Sequence, residues 1–568
     1  MIVGMTGSRF HRASARLHEL ALRAMASLST LGVLTATLFF AFSLTPSLSP
    51  RSMLLQGVVS GLSLSLGYLL GWTMRWLWSA LELPEPGPRT HRIALVIAAS
   101  LCVLIAAWFL WRASEWQNSV RLLMNMPPVE TVRPYKVALI SLAIFIVTLL
   151  FARGFRLVFR LLARILKRVV PPRLAYIASL VMAAALFWSL MEGVLVSGLL
   201  RLADSSYQQL DALVPDDVDA PKDPRKTGSP ASLIRWQDLG RQGRLFVARG
   251  PSAADIAGFT DEYAYEPLRV YVGLNAADTP EQRAQLALRE LIRVGGFERS
   301  LLLIITPTGT GWVQPEAIDA LEYLHRGDVA SVAAQYSYLP SPLALVAEGA
   351  YGAETAQALF QAVYAHWAQL PEERRPKLYL HGLSLGAVNS EQSFHLHDVL
   401  GDPIHGALWA GPPFRSRVWN IVTRNRRPDS PQWLPKYRDE SIVRFMNQYV
   451  GVERPGIEWG PLRVVYLQHA SDPVSFFSIE AAWREPDWMR APRAPDISPE
   501  LRWYPLVTML QLAADMVAGG EAVPPGYGHH FSAHEYIEAW HALTEPAGWQ
   551  TQDLRRLGEA LERRADVE

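Results

Sequence analysis

Five long apolar stretches occupy the first two hundred residues, and none shows the polar face of a helix on the surface of a soluble protein. A helix needs about 20 apolar residues to cross a bilayer. Tryptophans cluster near the ends of the stretches, where amphipathic rings favour the membrane interface. The pattern predicts an α-helical transmembrane bundle of about five spans over residues 1–203. The predicted spans are 24–44, 54–77, 93–111, 137–151 and 174–200, of which the fourth is short unless its flanks extend it.

From about Ser232 the pattern changes to short β-rich runs that alternate with helical segments. Such alternation is typical of a parallel sheet with helices on both faces. The sequence therefore predicts an α/β domain with a mostly parallel sheet over 232–568, joined to the first domain by an acidic, proline-rich linker over 204–231 that we interpret as an exposed tether. The predicted strands are 268–272, 301–306, 331–335, 377–380, 406–409 and 463–468, and the predicted helices are 280–294, 315–325 and 353–370.

The net charge of +1 conceals opposite charges in the two parts of the chain. Residues 1–200 contain 19 basic and six acidic residues, which leaves 35 basic and 47 acidic residues for the remainder. Basic links tend to stay cytoplasmic, so the arginines before the first span and those between the fourth and fifth spans predict a cytoplasmic N-terminus. Five spans then place the α/β domain on the non-cytoplasmic side of the plasma (inner) membrane, although the basic link between the third and fourth spans fits this scheme poorly.

A basic amphipathic segment follows the fourth span, over residues 155–170. Its arginines recur at helical spacing against leucine, valine and phenylalanine. Two interpretations stay open, namely a helix that lies on anionic lipid and a cytoplasmic extension of the fourth span.

Composition and missing motifs exclude several classes of protein. A hydrophobic content of 50% is too high for a disordered chain, and basic residues that lie among apolar runs argue against a nucleic-acid partner. The single cysteine, Cys102, excludes disulfides within the chain and a zinc-thiolate cluster. The sequence has no H-E-x-x-H motif, glycine-rich phosphate loop or dinucleotide fingerprint, so we predict no metal and no cofactor.

The strongest chemical signal is the segment KLYLHGLSLGA at 377–387, in which an apolar strand runs into G-x-S-x-G at 382–386 and then into a predicted helix. In a nucleophile elbow of this form the serine lies on a strained strand-to-helix turn, and the glycines allow close backbone packing. The motif predicts that Ser384 is a nucleophile. The alternative is an ordinary structural turn.

A serine nucleophile needs a base and a carboxylate that orients the base, and in α/β-hydrolases these follow in the order serine, acid, histidine. Asp472 comes directly after the strand predicted at 463–468, which makes it the predicted acid, with Asp402 and Asp487 as competitors. A loop rich in glycine and proline presents His529 and His530, and spacing alone does not separate these two candidates for the base.

Backbone amides must stabilise the oxyanion that forms in acyl transfer. One donor is normally the residue after the nucleophile, here Leu385, and the other lies in a loop after an earlier strand. The segment LLLIITPTGTGW at 301–312 supplies such a loop, so Thr308 and Gly309 are the predicted partners. A tight turn that binds nothing is the alternative.

Several segments together resemble one bacterial family, that of membrane-anchored α/β-hydrolase-like proteins with a multi-span N-terminal domain. The segments are RVYVGL at 269–274, TPTGTGW at 306–312, GDVASVAAQYSYLPS at 327–341, GLSLGA at 382–387, LWAGPPF at 408–414, LQHASDPV at 467–474 and GYGHHFS at 526–532. The resemblance covers essentially the whole chain. It implies a serine-hydrolase fold of unsettled substrate and favours Ser384 and Asp472.

The same resemblance bears on the choice between the two histidines. Relatives carry Gly-His-Gly-His in the last loop, which maps onto residues 526–529 and favours His529 over His530. The chain departs from the family pattern at two positions, with Leu383 in place of glutamate and Tyr527 in place of histidine. The first departure alters the acidity next to the nucleophile, and neither removes a predicted triad residue.

The sequence thus predicts an integral membrane serine hydrolase, similar to esterases and lipases, that cleaves an acyl ester on the non-cytoplasmic side. Its predicted partners are the lipid bilayer and a substrate derived from lipid or from the cell envelope. A hydrolase-like domain that only binds an envelope component is the alternative from another class. A thioesterase or peptidase would use the same residues. The sequence makes no prediction of oligomeric state.

Overall fold

A computed structural model describes most of the chain, which forms two compact units. The helical unit combines the described part of Met1–Leu180 with Ile479–Glu485 and Ser498–Asp515. The sheet unit comprises the described residues of Val181–Ser478, Pro486–Ile497 and Met516–Glu568. The described residues are 28–85, 87–191, 211, 218–339, 344, 351–518 and 523–565.

Helices and strands are numbered here in chain order. The helices are α1 Thr30–Ser43, α2 Met53–Ala80, α3 Pro88–Leu123, α4 Pro134–Leu166, α5 Pro172–Ser189, α6 Gly240–Ala248, α7 Ala253–Thr260, α8 Pro280–Arg293, α9 Pro315–Leu324, α10 Tyr351–Trp367, α11 Leu385–Glu391, α12 Arg417–Arg424, α13 Pro473–Phe476, α14 Val507–Ala518, α15 Ala533–Thr544 and α16 Thr551–Ala565. The strands are β1 Leu268–Val272, β2 Leu301–Thr306, β3 Val329–Ala334, β4 Lys377–Leu383, β5 Gly406–Ala410, β6 Val443–Met446 and β7 Arg463–Leu467.

Among the described residues, four helices are long and apolar enough to cross a membrane, namely α2, α3, α4 and α5. Helix α1 is also apolar but has 14 described residues, and residues 24–27 of its predicted span lie outside the described part. Residues 192–200 of the last predicted span lie outside it as well. Helix α4 continues without a break to Leu166, so most of the basic segment 155–170 extends the fourth span.

Small residues allow the long helices to approach closely, as is typical of helix packing in membranes. A Cβ atom added at Gly67 or Gly71 of α2 would lie 2.6 Å from a backbone carbonyl oxygen of α1. The hydroxyl of Thr35 in α1 donates a hydrogen bond of 2.7 Å to the carbonyl of Gly67. On another face of α2, Gly57 and Gly61 contact side chains of α4. These glycines therefore set the spacing between α2 and its two neighbours.

The segment Ser498–Asp515 packs on the N-terminal helices, although sequence analysis assigned it to the α/β domain at 232–568. Asp515 in α14 forms a fully buried ion pair with Arg51, with 2.6 Å between Arg51 Nε and Asp515 Oδ1. The hydroxyl of Ser47 and the amide of Leu48 also donate to the Asp515 carboxylate. Trp116 Nε1 of α3 donates to Glu500 Oε2 at 2.7 Å. Polar contacts, which hydrophobic periodicity does not reveal, thus fix this segment in the helical unit.

We predict that Asp515→Ala destabilises the helical unit, because the substitution leaves the Arg51 guanidinium buried without its carboxylate partner. The loss in free energy of unfolding should be about 3–5 kcal/mol. Thermal unfolding of the whole chain in detergent, followed by tryptophan fluorescence, measures it as a lower Tm. The matched control is Asp429→Ala, which removes an exposed partner of Arg427 and should cost about 1 kcal/mol or less. Equal Tm values for the two variants would contradict the prediction.

The sheet unit contains seven parallel strands in the order β1-β3-β2-β4-β5-β7-β6. The fold class predicted from the sequence, apolar helices followed by an α/β domain with a parallel sheet, is therefore confirmed. Strands β1, β2 and β3 are buried at every position, as expected where helices cover both faces of a sheet. Sequence analysis missed β6, a four-residue edge strand that is too short to show a periodic pattern.

The strand register aligns the carboxyl ends of the central strands. Thr306 of β2 is opposite Gly382 of β4, and Leu383 of β4 is opposite Ala410 of β5. Ala410 is in turn opposite Leu467 of β7. The loops after β2, β4 and β7 carry the predicted oxyanion donors, nucleophile and acid, so the register brings all three loops to one edge of the sheet.

Part of the described linker, residues 218–231, packs against the sheet unit, whereas Asp219, Lys222 and Arg225 are exposed, as its composition suggested. Thr227 and Ser229 are buried. Lys226 Nζ lies 2.8 Å from Glu266 Oε1. Lys226 thus has a partner on the domain, whereas Arg225 pairs with Asp223 inside the linker. Residues 204–210 and 212–217 lie outside the described part, so the predicted domain limits stay a prediction.

Candidate active site

Ser384 occupies a strained turn between β4 and α11, with φ of 56° and ψ of −124°. A positive φ is uncommon for a residue other than glycine and concentrates at functional sites. The amide of Ser384 donates to the carbonyl of Ala410 at the end of β5, over 2.9 Å. This bond fixes the serine at the carboxyl edge of the sheet, directly before the first turn of α11.

The glycines of the motif are required because backbone atoms pack directly against them. A Cβ atom at Gly386 would lie 2.1 Å from the carbonyl oxygen of Thr306 in β2. A Cβ atom at Gly382 would lie 2.3 Å from the carbonyl of Gly386. The sharp turn that presents Ser384 therefore depends on the absence of a side chain at both positions.

The structure brings the predicted acid, Asp472, into contact with the predicted base, His529. The Nδ1 atom of His529 lies 2.8 Å from Asp472 Oδ2. Asp472 is fully buried and caps the N-terminus of the short helix α13, where its Oδ1 accepts the amide of Val474 at 2.8 Å. The hydroxyl of Ser475 donates to Oδ2 at 3.1 Å. These donors hold the carboxylate in place, so it orients the ring of His529.

The ring of His529 lies over Gly411. This glycine follows Ala410, whose carbonyl accepts the hydrogen bond from the amide of Ser384. A Cβ atom at Gly411 would lie 2.5 Å from His529 Cε1. Within the part of the chain that the structure describes, the buried Nε2 of His529 has no hydrogen-bond partner. Because Nδ1 donates to Asp472, a neutral ring leaves Nε2 as an acceptor. Nε2 is therefore not hydrogen-bonded to Ser384 Oγ in this structure, and transfer of the serine proton to it stays a prediction.

The structure separates the competing candidates from this pair. His530 turns its Nδ1 toward the carbonyl of Val523, at 3.1 Å. Asp402 and Asp487 pair instead with arginines, Arg375 and Arg490 respectively. Of the three candidate acids, Asp472 is the one whose carboxylate contacts a histidine of the loop before α15, namely His529.

The predicted oxyanion donors have unequal geometry. Leu385 is the first residue of α11, where backbone amides lack an acceptor within the helix. The amide of Thr308, by contrast, donates to the carbonyl of Trp312 at 2.9 Å, within a tight turn. The backbone bond inside this turn therefore opposes the role predicted for Thr308. Leu385 and Gly309 stay the predicted donors.

Two buried titratable groups lie next to the elbow. Burial lowers the pKa of His381, the residue before the motif in β4, to about 4, so this histidine is neutral at pH 7. Burial raises the pKa of Glu391, the last residue of α11, to about 7, although hydrogen bonds from Ser416 and Tyr466 oppose the shift. His381 therefore adds no charge next to the motif at pH 7.

Sequence analysis missed a second buried histidine–carboxylate pair. His469 Nε2 lies 2.5 Å from Glu535 Oε1, and His469 Nδ1 lies 2.9 Å from the carbonyl oxygen of Gly528, which precedes His529. The only local signal was a histidine three residues before Asp472. A single histidine after an apolar strand does not indicate its partner, since Glu535 is 66 residues away.

We predict that Gly386→Ala destabilises the sheet unit, because the new methyl group would overlap the backbone of β2. The cost in free energy of unfolding should be about 1–3 kcal/mol. Thermal unfolding measures the change. The matched control is Gly401→Ala, since nothing lies within 4 Å of an added Cβ at that position. If Gly386→Ala unfolds at the same temperature as this control, the close packing at the elbow is wrong.

Comparison with known proteins extends these observations. Residues 268–557 match the model of a family described as an alpha/beta-hydrolase family. Residues 44–251 match the model of a family described as an alpha/beta-hydrolase family N-terminus. No curated protein and no solved structure matches the chain. The first match includes Ser384, Asp472 and His529, and the second includes helices α2–α5.

Proposed function

The chain belongs to the alpha/beta-hydrolase family, and on that premise we propose that it is a serine hydrolase anchored in a membrane by its apolar helices. One observation carries the proposal. The buried Asp472 carboxylate holds His529 Nδ1 at 2.8 Å, while Nε2 is left without a partner among the described residues. The ring also lies over Gly411, whose neighbour Ala410 accepts the amide of Ser384.

The proposed reaction is acyl transfer to Ser384. The Oγ atom attacks the carbonyl carbon of the substrate while its proton passes to His529 Nε2. The Asp472 carboxylate stabilises the imidazolium that results, and the amides of Leu385 and Gly309 stabilise the oxyanion. The imidazolium then protonates the leaving group. A water molecule, activated by the same nitrogen, hydrolyses the acyl-enzyme and returns the serine hydroxyl.

The proposed substrate is an acyl ester of a lipid or of an envelope-derived molecule. Four apolar helices in the same chain would keep the enzyme at a bilayer, where such esters are concentrated. The basic residues of the N-terminal part favour a cytoplasmic N-terminus. If the shorter apolar helix α1 also crosses the bilayer, the five spans predicted from the sequence place the sheet unit on the non-cytoplasmic side of the plasma membrane. Thioester and peptide substrates would use the same triad.

A non-catalytic binding domain is the second candidate, and one observation favours it. The amide of Thr308 already donates to Trp312 and is thus not presented to an oxyanion. Leu383 and Tyr527, the two departures from the family pattern, also favour a binding domain over an enzyme. In this second function the sheet unit would hold an envelope component without cleaving it.

We predict that a fluorophosphonate probe labels the whole chain in membranes and that Ser384→Ala abolishes the label, since the probe reacts with an activated serine. Asp472→Asn should slow labelling by about 10⁴-fold, the loss seen when the aspartate of a triad becomes asparagine. The matched control is Asp402→Asn, which changes the competing acid that pairs with Arg375. His530→Gln is the corresponding control for His529→Gln.

Two results would decide against this function. Equal labelling of wild type and Ser384→Ala would place the reactive group elsewhere. A wild-type chain that is never labelled and hydrolyses none of a series of acyl esters, thioesters and peptides would favour the binding domain. Where hydrolysis occurs, the rates along a series of acyl chain lengths identify the preferred substrate class.

A further inference from the structure

We propose that His469 and Glu535 are positioning residues, which hold the backbone on both sides of His529 and thereby keep its ring aimed at Ser384. This inference rests on the proposed hydrolase function. It adds two residues to the site that neither the G-x-S-x-G motif nor the order of the triad residues indicates.

The first contact lies on the N-terminal side of His529. His469 follows the last strand that contributes to the site, β7, and is fully buried. Its Nδ1 donates to the carbonyl of Gly528 at 2.9 Å. The amide of Gly528 is held as well, since it donates to the hydroxyl of Ser471 at 3.0 Å. Both polar backbone groups of the residue before His529 are therefore bonded to the loop that carries Asp472.

The second contact lies on the C-terminal side of His529. Glu535 Oε2 accepts the amide of Ser532 at 2.7 Å and its hydroxyl at 2.8 Å, which caps the first turn of α15. The other carboxylate oxygen accepts His469 Nε2 at 2.5 Å. The ring of Phe531 packs on the ring of His469, with 4.5 Å between centroids. One buried pair thus joins both flanks of the catalytic histidine.

The charges of the pair support each other. Burial alone would lower the pKa of His469, but the Glu535 carboxylate and the Gly528 carbonyl raise it above its ordinary value. Burial alone would raise the pKa of Glu535, but His469 lowers it. A protonated imidazole has two N–H donors, which are the two that Gly528 and Glu535 accept. A protonated His469 ring can therefore donate to the Gly528 carbonyl and to the Glu535 carboxylate at the same time.

Two substitutions separate a positioning role from general stabilisation of the core. In His469→Asn the side-chain amide nitrogen takes about the place of Nδ1, so it still donates to Gly528 and loses only Glu535. In His469→Gln the amide nitrogen takes about the place of Nε2, so it keeps Glu535 and loses Gly528. A merely structural role makes His469→Gln the milder change, since it leaves no buried carboxylate without its partner.

A positioning role predicts instead that His469→Gln is the more severe of the two substitutions. For the whole chain in detergent, kcat should fall by about 10- to 100-fold in His469→Gln, because small displacements of a catalytic group have effects of this size. KM should stay within about twofold of wild type, because His469 touches no substrate, and His469→Asn should keep most of kcat. A wild-type kcat in His469→Gln, or an equal loss in both variants, would overturn the proposal.

A second measurement does not depend on activity. Hydrogen exchange of the backbone amides at 526–531, read by mass spectrometry, should become faster in His469→Gln than in wild type or His469→Asn at an unchanged Tm. If wild type shows no hydrolysis but the loop still loses protection in His469→Gln, the hydrolase function fails, and only the hold of His469 on the loop is supported. Unchanged protection of the loop in His469→Gln would refute the positioning role whatever the activity.

Discussion

The register of the parallel sheet is the constraint on which the site depends. Thr306 of β2 pairs with Gly382 of β4, and the next residue of β4, Leu383, pairs with Ala410 of β5, which in turn pairs with Leu467 of β7. Neighbouring strands are about 4.8 Å apart, so the loops that leave these four strand ends begin within about 15 Å of one another. A shift of one residue in this pairing would turn alternate side chains to the other face and separate the loops. The strained backbone of Ser384 is held by the same pairing, through its bond to Ala410.

Those parts of the fold that have a local signal can be predicted from the sequence. Six of the seven strands follow from short apolar runs, and the elbow follows from two glycines at fixed offsets from Ser384. Membership of an alpha/beta-hydrolase family with an N-terminal domain and the fold class were confirmed for the same reason, because motifs and apolar helices are properties of short segments. The sequence alone did not separate His529 from His530, and only the resemblance favoured His529. The difference between them is the direction of each ring, which depends on residues distant in sequence.

The features that sequence analysis missed rest on polar contacts between distant residues. Asp515 joins the helical unit through Arg51, which is 464 residues away, and Glu535 joins His469 across 66 residues. Hydrophobic periodicity carries no information about such pairs. A buried ion pair also adds little net stability, since desolvation offsets most of the attraction, yet it penalises any arrangement that separates the partners. The Arg51–Asp515 pair therefore acts mainly to specify where the segment Ser498–Asp515 packs.

Two histidine–carboxylate pairs lie a few residues apart in the sequence. They differ in how many nitrogens of the histidine ring are hydrogen-bonded, and this difference indicates which ring can exchange a proton. In the pair of His469 with Glu535 both ring nitrogens are bonded, so the ring has no nitrogen left to exchange a proton. In the pair of His529 with Asp472 only Nδ1 is bonded, and Nε2 has no partner among the described residues. An unbonded buried nitrogen costs free energy, so a fold retains it only where the surrounding contacts over-determine the ring. The fully bonded pair supplies part of that constraint, because it fixes Gly528 and the start of α15 on either side of His529.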